Sequence, residues 1–273
     1  MPPEKQEQKT ERQKIEQDFH NQWAQQVNLD DLLVTQSFEA ATALENNYAL
    51  SQMLPLKGKK LLDLGCGAGE TSVYFALQGA EVTAVDISEE MLELVKKLAA
   101  RHNVTLQTQH TVAEQMPFAD EAFDIVFGNG VLHHIELEPS LKEIHRVLKP
   151  GGRAVFIEPL CYNPVIEVYR HLAKTVRTPT ERPFSYSNLN DMAKLFPKVE
   201  HREFWFFSLL VFIYFFLIER ANPSKVRYWK KVIEDSERLE WFFLPLKRLD
   251  DTTLKVFPWL GCLCWNMVIT ATK

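Results

Sequence analysis

Short apolar runs alternate with amphipathic stretches through the middle of the chain. The run at Leu61–Leu64 stops at three glycines, Gly65, Gly67 and Gly69, which stand at every second position. An apolar run that ends in a glycine-rich turn is typical of a buried parallel strand that passes into a helix. The pattern therefore predicts an α/β domain. Further strands are predicted at Glu81–Asp86, Val104–Gln109, Phe123–Phe127, Ala154–Ile157, Lys198–Phe206 and Leu263–Thr272.

Apolar residues at helical spacing predict several amphipathic helices. Near the start of the chain they recur at every fourth position, at Ile15, Phe19, Trp23 and Val27. This first helix either packs on the core or covers a ligand as a lid. Phe38–Leu50 is a second helix candidate, and Ser88 has the character of an N-cap. Cys161–Arg177 has helical spacing as well.

The glycine-rich turn is the first candidate for a binding site. Glycine permits positive φ and lets a ligand approach the bare backbone. A helix at Thr71–Gln78 would point its free N–H groups back at the turn. The spacing G-x-G-x-G differs from the dinucleotide fingerprint G-x-G-x-x-G, and Asp63 just before the turn favours a cationic ligand. Asp86 ends the next strand about twenty residues past the glycines, where a ribose diol would be held.

Four segments resemble the successive motifs of the class I S-adenosylmethionine-dependent methyltransferases: LDLGCGAGE, VTAVDIS, AEQMPFADEAFDIVFGNGVLHHI and HRVLKPGGRAVFIEP. The resemblance covers about Lys59–Pro159 and is to the small-molecule branch that includes the ubiquinone-biosynthesis type. It implies a Rossmann-like sheet of seven strands with helices on both faces and an antiparallel last strand. It also implies S-adenosyl-L-methionine as cofactor and S-adenosyl-L-homocysteine as product.

Carried over by motif, the resemblance implies a set of cofactor contacts. Asn129 and Gly130 would hold the methionine ammonium group. Where the family usually carries an aspartate, this chain has Val112, so adenine would be held mainly by backbone N–H groups near Ala113. Tyr48 either shields the sulfonium or is a core tyrosine. The cofactor-binding residues are expected to be Asp63, Gly65, Cys66, Gly67, Gly69, Asp86, Ile87, Ala113, Glu114, Asn129, Gly130 and Tyr48.

The adjacent pair His133 and His134 follows the fourth strand, where the transferred methyl group should point. An oxygen or nitrogen acceptor has to lose a proton, and histidine is the natural base near neutral pH. We expect at most one of the two to face the substrate. The plainer interpretation is that one or both are buried core histidines. Glu158 is a reserve candidate for the base, with the alternative role of a hydrogen-bonded carboxylate at the strand end. No metal site is expected.

Composition narrows the class of protein. The chain has 273 residues, of which 46% are hydrophobic, and its net charge of −5 argues against a nucleic-acid partner. The start of the chain lacks the apolar segment of a signal peptide. Of the four cysteines, Cys262 and Cys264 form a C-x-C pair, which predicts two residues on one face of a strand and not a zinc site. Reduced thiols and a cytoplasmic location, with peripheral membrane contact as an option, are expected.

The domain organisation expected from these patterns is a polar tail at Met1–Lys14 followed by one methyltransferase domain. That domain comprises N-terminal helices or a lid (15–58), the cofactor-binding core (59–160), and substrate-side elements with the final strands (161–273). A hydrophobic insertion at about 209–261 separates the last two strands. The run Phe204–Ile218 is a buried strand plus helix, a wall over the substrate pocket, or an interfacial membrane patch.

The function expected from the sequence is methyl transfer to an oxygen, nitrogen or carbon atom of a small, largely apolar or amphipathic metabolite. Two alternatives stay open. One is a lipid or quinone methyltransferase at a membrane surface, and the other is a protein that binds S-adenosylmethionine without catalysis. A nicotinamide dehydrogenase is disfavoured by the shifted third glycine. Nothing in the sequence indicates an oligomeric state.

Overall fold

A computed structural model describes residues 3–172 and 177–273 of the chain. Its strands are β1 (Lys60–Leu64), β2 (Glu81–Asp86), β3 (Gln107–His110), β4 (Phe123–Asn129), β5 (Leu148–Pro159), β6 (Lys198–Phe204) and β7 (Asn266–Thr272). They form one sheet in the order β3-β2-β1-β4-β5-β7-β6. The first five strands are parallel, and β7 runs antiparallel to both β5 and β6. The Rossmann-like sheet with an antiparallel last strand is therefore confirmed.

Eleven helices of the described residues surround this sheet. They are α1 (Pro3–Ala24), α2 (Gln36–Glu39), α3 (Leu44–Met53), α4 (Glu70–Leu77), α5 (Glu89–Arg101), α6 (Leu137–Val147), α7 (Pro164–Leu172), α8 (Tyr186–Ala193), α9 (Leu210–Leu217), α10 (Tyr228–Glu234) and α11 (Ser236–Val256). Ser88 caps α5 as its sequence predicts, since its hydroxyl accepts a hydrogen bond from the N–H of Met91 at 3.1 Å. The sheet separates two apolar clusters, one on each face.

The N-terminal region is more helical than apolar spacing alone predicted. Helix α1 begins at Pro3 instead of Ile15, because the polar segment before Ile15 is rich in glutamate, glutamine, lysine and arginine, which favour helix. The predicted helix at Phe38–Leu50 is divided into α2 and α3. Helix α7 ends at Leu172, and part of the helix predicted for this segment lies outside the described residues.

The expectation that the C-x-C pair lies on a strand is wrong. Cys262 belongs to a 3-10 turn at Pro258–Leu263, and β7 begins only at Asn266. The third strand also begins later than predicted, at Gln107. Both strands are shorter than their apolar runs because strand length depends on the pairing partner, which the local pattern does not show. All four thiols are free.

The insertion between β6 and β7 is helical and packs on the sheet through aromatic side chains. After β6 ends at Phe204, α9 buries Val211, Phe212 and Phe215 against the core. The opposite side of α9 is exposed. The interpretation of Phe204–Ile218 as a buried strand plus helix thus holds for the side of α9 that faces the core, and not for its exposed side. Within residues 3–172 and 177–273, no helix combines the length and apolarity needed to span a bilayer.

Candidate active site

A cavity of about 1220 Å³ opens at the carboxyl ends of β1, β2 and β4. Ligands of open α/β sheets bind at this edge, where the loops that follow parallel strands meet. Ordinary ligand pockets have volumes of about 300–1,000 Å³. This cavity is therefore large enough for a nucleotide-sized molecule and a second, smaller one.

The three glycines of the turn after β1 have positive φ angles of 68°, 52° and 92°, but they serve different purposes. A Cβ on Gly67 would meet no atom within 4 Å, so this residue presents bare backbone to the cavity. A Cβ on Gly65 would lie 2.7 Å from a methyl group of Val131, and one on Gly69 would lie 2.8 Å from a methyl group of Val95. Gly69 caps α4 and is not among the residues that line the cavity, and its missing side chain leaves room for Val95.

Two carboxylates stand beside the glycine turn. Asp86 accepts hydrogen bonds from the backbone N–H groups of Gly67 and Ser88, both at 2.9 Å. Asp63 accepts a hydrogen bond from the Thr71 hydroxyl at 2.6 Å and another from the hydroxyl of Ser72. Burial raises the pKa of Asp63 to about 6, although both hydroxyl groups stabilise the carboxylate. Asp63 and Asp86 both line the cavity.

Most of the remaining expected cofactor residues also meet at the cavity. Its lining includes Cys66, Ile87, Ala113, Glu114, Asn129 and Gly130. The Glu114 carboxylate accepts the backbone N–H of Glu136 at 3.0 Å, which fixes the loop after β3 against the start of α6.

Tyr48 is not among the residues that line this cavity. Its ring packs 5.5 Å from that of Phe204, and the Arg202 guanidinium lies 5.0 Å from its centroid. Tyr48 borders a separate pocket of about 640 Å³ on the far side of α3. A role for Tyr48 as a shield of the sulfonium does not fit this position, because α3 points the ring toward β6.

His133 is buried and is fixed by Glu158. The Nδ1 atom of His133 lies 2.7 Å from one carboxylate oxygen of Glu158, and the other oxygen accepts the backbone N–H groups of Val131 and Leu132. Burial raises the pKa of Glu158 to about 7, and burial with the charges of Arg177 and Arg170 lowers the pKa of His133 to about 3. Glu158 is fully buried behind the lining, so it is placed to position His133 and not to touch an acceptor.

His134 also lines the cavity, so both histidines border the space in which a substrate would lie. That at most one of them faces the substrate stays a prediction. A short 3-10 turn at Leu132–His134 places the two rings side by side, with centroids 4.1 Å apart. The Nδ1 atom of His134 lies 3.1 Å from a carboxylate oxygen of Glu16. Burial and the neighbouring His133 lower the pKa of His134, and Glu16 opposes that shift.

One group of side chains here has the spacing of metal ligands. Ligand atoms of His133, His134 and Glu181 lie within 4.8 Å of one another. The Glu181 carboxylate is already paired with the Arg177 guanidinium. This pairing balances the negative charge of Glu181 without a metal ion. That no metal binds here stays a prediction.

Helix α1 lies over the cavity and is tied to the loops around it. Arg12 pairs with Glu136 at 2.9 Å and donates to the carbonyl of His133 at 3.3 Å. Further along the helix, the Arg227 guanidinium lies 3.8 Å from the centre of the Trp23 ring. Helix α1 thus contributes part of the cavity wall.

Sequence reasoning missed Glu45, an acid that faces the cavity from α3. Its two carboxylate oxygens accept hydrogen bonds from the Trp205 indole N–H and the Asn266 amide, both at 2.7 Å. Burial raises the pKa of Glu45, although both hydrogen bonds act in the opposite direction. Its partners are distant in the sequence, so no local motif identifies it.

The central part of the chain matches a known family. Residues 62–156 match the model of the family described as "Methyltransferase domain". A demethylmenaquinone methyltransferase from Chlorobaculum parvum is 37% identical over 150 residues, which are 52% of this chain and 61% of that protein. One from Clavibacter sepedonicus is 33% identical over 159 residues, which are 55% of this chain and 64% of that protein. The chain thus spans less than two thirds of the length of these relatives.

Among solved structures, that of an S-adenosylmethionine-dependent methyltransferase from Thermotoga maritima superposes with a TM-score of 0.56. The match covers 96% of this chain and 99% of that one at 20% sequence identity. At this identity the likeness shows the fold, including the elements outside the matched core.

Proposed function

We propose that the protein is a class I S-adenosylmethionine-dependent methyltransferase of the small-molecule branch, which transfers a methyl group from S-adenosyl-L-methionine to an O, N or C atom of a small, largely apolar metabolite. The match of residues 62–156 to the methyltransferase domain family and the similarity to demethylmenaquinone methyltransferases support this proposal. The observation that carries this proposal is the single cavity shared by Gly67, Asp86 and the His133–His134 pair. The part of this cavity beside Gly67 and Asp86 can hold the nucleoside of the cofactor, and the part beside the two histidines can hold the methyl acceptor.

The residues present fit the cofactor. Gly67 leaves room where any side chain would project into the cavity, and Asp86 ends β2 where a ribose diol would be held. Asp63 and the backbone carbonyls of Asn129 and Gly130 provide negative or partly negative groups suited to an ammonium group. When bound, S-adenosylmethionine supplies a methyl group already activated by its sulfonium.

The chain's own residues then have to position the acceptor and exclude water. His133 is held by Glu158 through Nδ1, which leaves Nε2 for the acceptor. A neutral imidazole can accept the proton of a hydroxyl or an amine as the methyl group is transferred. We assign His133 or His134 as this base and Glu158 as the positioning residue.

The acceptor side of the cavity supports the apolar character of the substrate. Its walls combine the end of β5, the inner side of α7, the start of α10 and the start of β7. The apolar and aromatic side chains there are Ile157, Ile166, Tyr169, Trp229, Ile233 and Trp265. The carboxylate of Glu45 lies among the polar groups of this region and offers a partner for a hydroxyl or amine of the acceptor.

A second candidate is methylation of a lipid or quinone at a membrane surface. It is favoured by the relatives named demethylmenaquinone methyltransferases and by the exposed apolar side of α9. Non-enzymatic binding of S-adenosylmethionine is the third, and the open acceptor side of the cavity argues against it.

Two measurements test the proposal. Calorimetry should show binding of S-adenosylhomocysteine and not of NAD, and the ligand should raise the melting temperature. Radiolabelled methyl transfer should then be measured to a reduced demethylnaphthoquinone with a short isoprenoid tail, and to the same ring without a tail. Transfer to either supports an apolar acceptor. If the protein binds the homocysteine product but methylates neither probe nor any member of a panel of apolar alcohols and amines, the third candidate replaces the proposal.

A further inference from the structure

Helix α7, which lines the cavity, and helix α9, which contacts α7, expose apolar side chains in matching stripes. On α7, Val165, Val168 and Leu172 are exposed at positions i, i+3 and i+7, and on α9, Leu210 and Ile213 begin a stripe with the same spacing. Phe216, Leu217 and Ile218 continue it. We call these eight residues the outer apolar face.

The two stripes belong to one surface. Helices α7 and α9 pack together through Tyr169 and Phe212, whose ring centroids are 5.7 Å apart. Both helices bury their other sides, since Phe212 and Phe215 of α9 lie in the core. The outer apolar face is therefore not the result of loose packing. It is the solvent side of two helices that contact each other, and exposed apolar surface of this kind marks an interaction site.

Helix α7 connects this surface with the active site. Ile166 and Tyr169 line the cavity from its inner side, whereas Val165 and Val168 belong to the outer apolar face. One helix thus separates the acceptor side of the cavity from the surface. At its end, the Ser224 hydroxyl donates to the carbonyl of Leu172 at 2.8 Å. The segment after α9 is therefore held against α7 at the edge of the cavity.

Unpaired positive charge lies at this same edge. Arg220 lies two positions after Ile218, the last residue of the outer apolar face, and Lys225 lines the cavity. Both are exposed, and among residues 3–172 and 177–273 neither has a carboxylate within ion-pair distance. The nearby Glu219 is already paired with Lys231 and Arg238. The edge therefore offers cations that no acid of the described chain neutralises.

We propose that the outer apolar face docks on an anionic lipid bilayer, with Arg220 and Lys225 at the headgroups and the mouth of the cavity turned toward the membrane. A bilayer interface offers both acyl chains for the eight apolar residues and negative headgroups for the two cations. The docking itself needs no catalysis. Only the consequence that an apolar acceptor enters from the bilayer past α7 rests on the proposed function.

The test is co-sedimentation of the full chain with vesicles of phosphatidylcholine, alone or mixed equally with phosphatidylglycerol. The protein should pellet with the mixed vesicles, and Leu217→Glu should weaken this partitioning at least tenfold. Arg220→Glu should weaken it about fivefold or more on mixed vesicles only, since one cation near an anionic surface contributes about that factor. The matched control is Leu77→Glu. Leu77 is an exposed leucine at the end of α4, a helix that packs beside β2 and not beside α7 or α9, and its replacement should change nothing.

Each other result overturns the proposal. If the wild type does not pellet with either vesicle, or if Leu217→Glu and Leu77→Glu behave alike, the outer apolar face is not a membrane site. Equal binding of the wild type to neutral and mixed vesicles would show that the positive charge of Arg220 does not contribute to docking. A dimer in analytical ultracentrifugation that Leu217→Glu dissociates would assign the face to a second copy of the chain. Melting temperatures and S-adenosylhomocysteine binding of each variant verify the fold separately, so a failure here leaves the proposed methyl transfer untouched.

Discussion

Alanine substitutions at two glycines of one turn should separate ligand binding from stability. Gly67 and Gly69 both have positive φ, so alanine at either position costs about 1–2 kcal/mol of backbone strain. A Cβ at Gly67 meets nothing in the protein, whereas a Cβ at Gly69 lies 2.8 Å from a methyl group of Val95 and 3.1 Å from its Cα. Overpacking of that kind adds about 1–3 kcal/mol.

Gly69→Ala should therefore cost more stability than Gly67→Ala, whereas Gly67→Ala should cost more ligand affinity. Gly67→Ala should lower the free energy of unfolding by about 1–2 kcal/mol and Gly69→Ala by about 2–5 kcal/mol. The affinity for S-adenosylhomocysteine should respond the other way. The new methyl group at residue 67 projects into the cavity and should weaken binding at least tenfold, and Gly67→Val should abolish it. Gly69→Ala should retain most of the affinity, because Gly69 does not line the cavity.

The assay is urea unfolding for stability and titration calorimetry for affinity, both on the same two variants. Far-ultraviolet circular dichroism verifies that each variant is folded before calorimetry. Equal destabilisation by the two substitutions would refute the packing argument for Gly69. Wild-type affinity in folded Gly67→Ala would refute the placement of the ligand against this backbone.

Four further predictions follow from the carboxylates and histidines of the site. Asp86→Ala should weaken binding of S-adenosylhomocysteine by about 1–3 kcal/mol in calorimetry, the range for a hydrogen bond to a charged group; unchanged affinity would exclude Asp86 as a partner of the diol. The raised pKa of Asp63 gives stability that is present below its unfolded pKa of 3.8 and lost as the pH rises through about 6. Asp63→Asn should therefore become more stable than the wild type between pH 4 and 8, by at most about 3 kcal/mol, and a pH-independent difference in urea midpoints would contradict this. Burial raises the pKa of Glu16, but the hydrogen bond and charge of His134 and the hydroxyls of Thr180 and Thr178 outweigh it and lower that pKa to about 2. The wild type should accordingly lose more stability than Glu16→Gln as the pH falls from 4.5 toward 2, and parallel acid-unfolding curves would argue against the ion pair. Replacing the histidine that acts as base by alanine should lower kcat by about 10²–10⁴ with the cofactor affinity nearly unchanged, and a loss below tenfold in both single variants would leave positioning as the source of catalysis.

The parts of the fold and site that sequence reasoning identified correctly are local. The turn at Gly65–Gly69 needs positive φ within a few residues, and the Ser88 cap bonds to an N–H only three residues away. Asp86 reaches the cavity because parallel strands end at one edge of a sheet, which follows from the order of strands and helices. Such features depend on backbone propensity and periodicity, and both are present in a single sequence.

Tertiary packing decided the roles that the local pattern left open. Glu45 is fixed by Asn266, 221 positions later, and His133 by Glu158 from a neighbouring strand. Tyr48 is turned away from the cavity because α3 packs against β5 and β7 and directs this ring toward Phe204. The sequence by itself determined the strand segments, the glycine turn and the acids at the strand ends, because these follow from local periodicity and backbone preference. Which acid faces the cavity, which glycine only packs, and which apolar side of α9 stays uncovered depend on residues far apart in the chain, whose contacts only the folded structure provides.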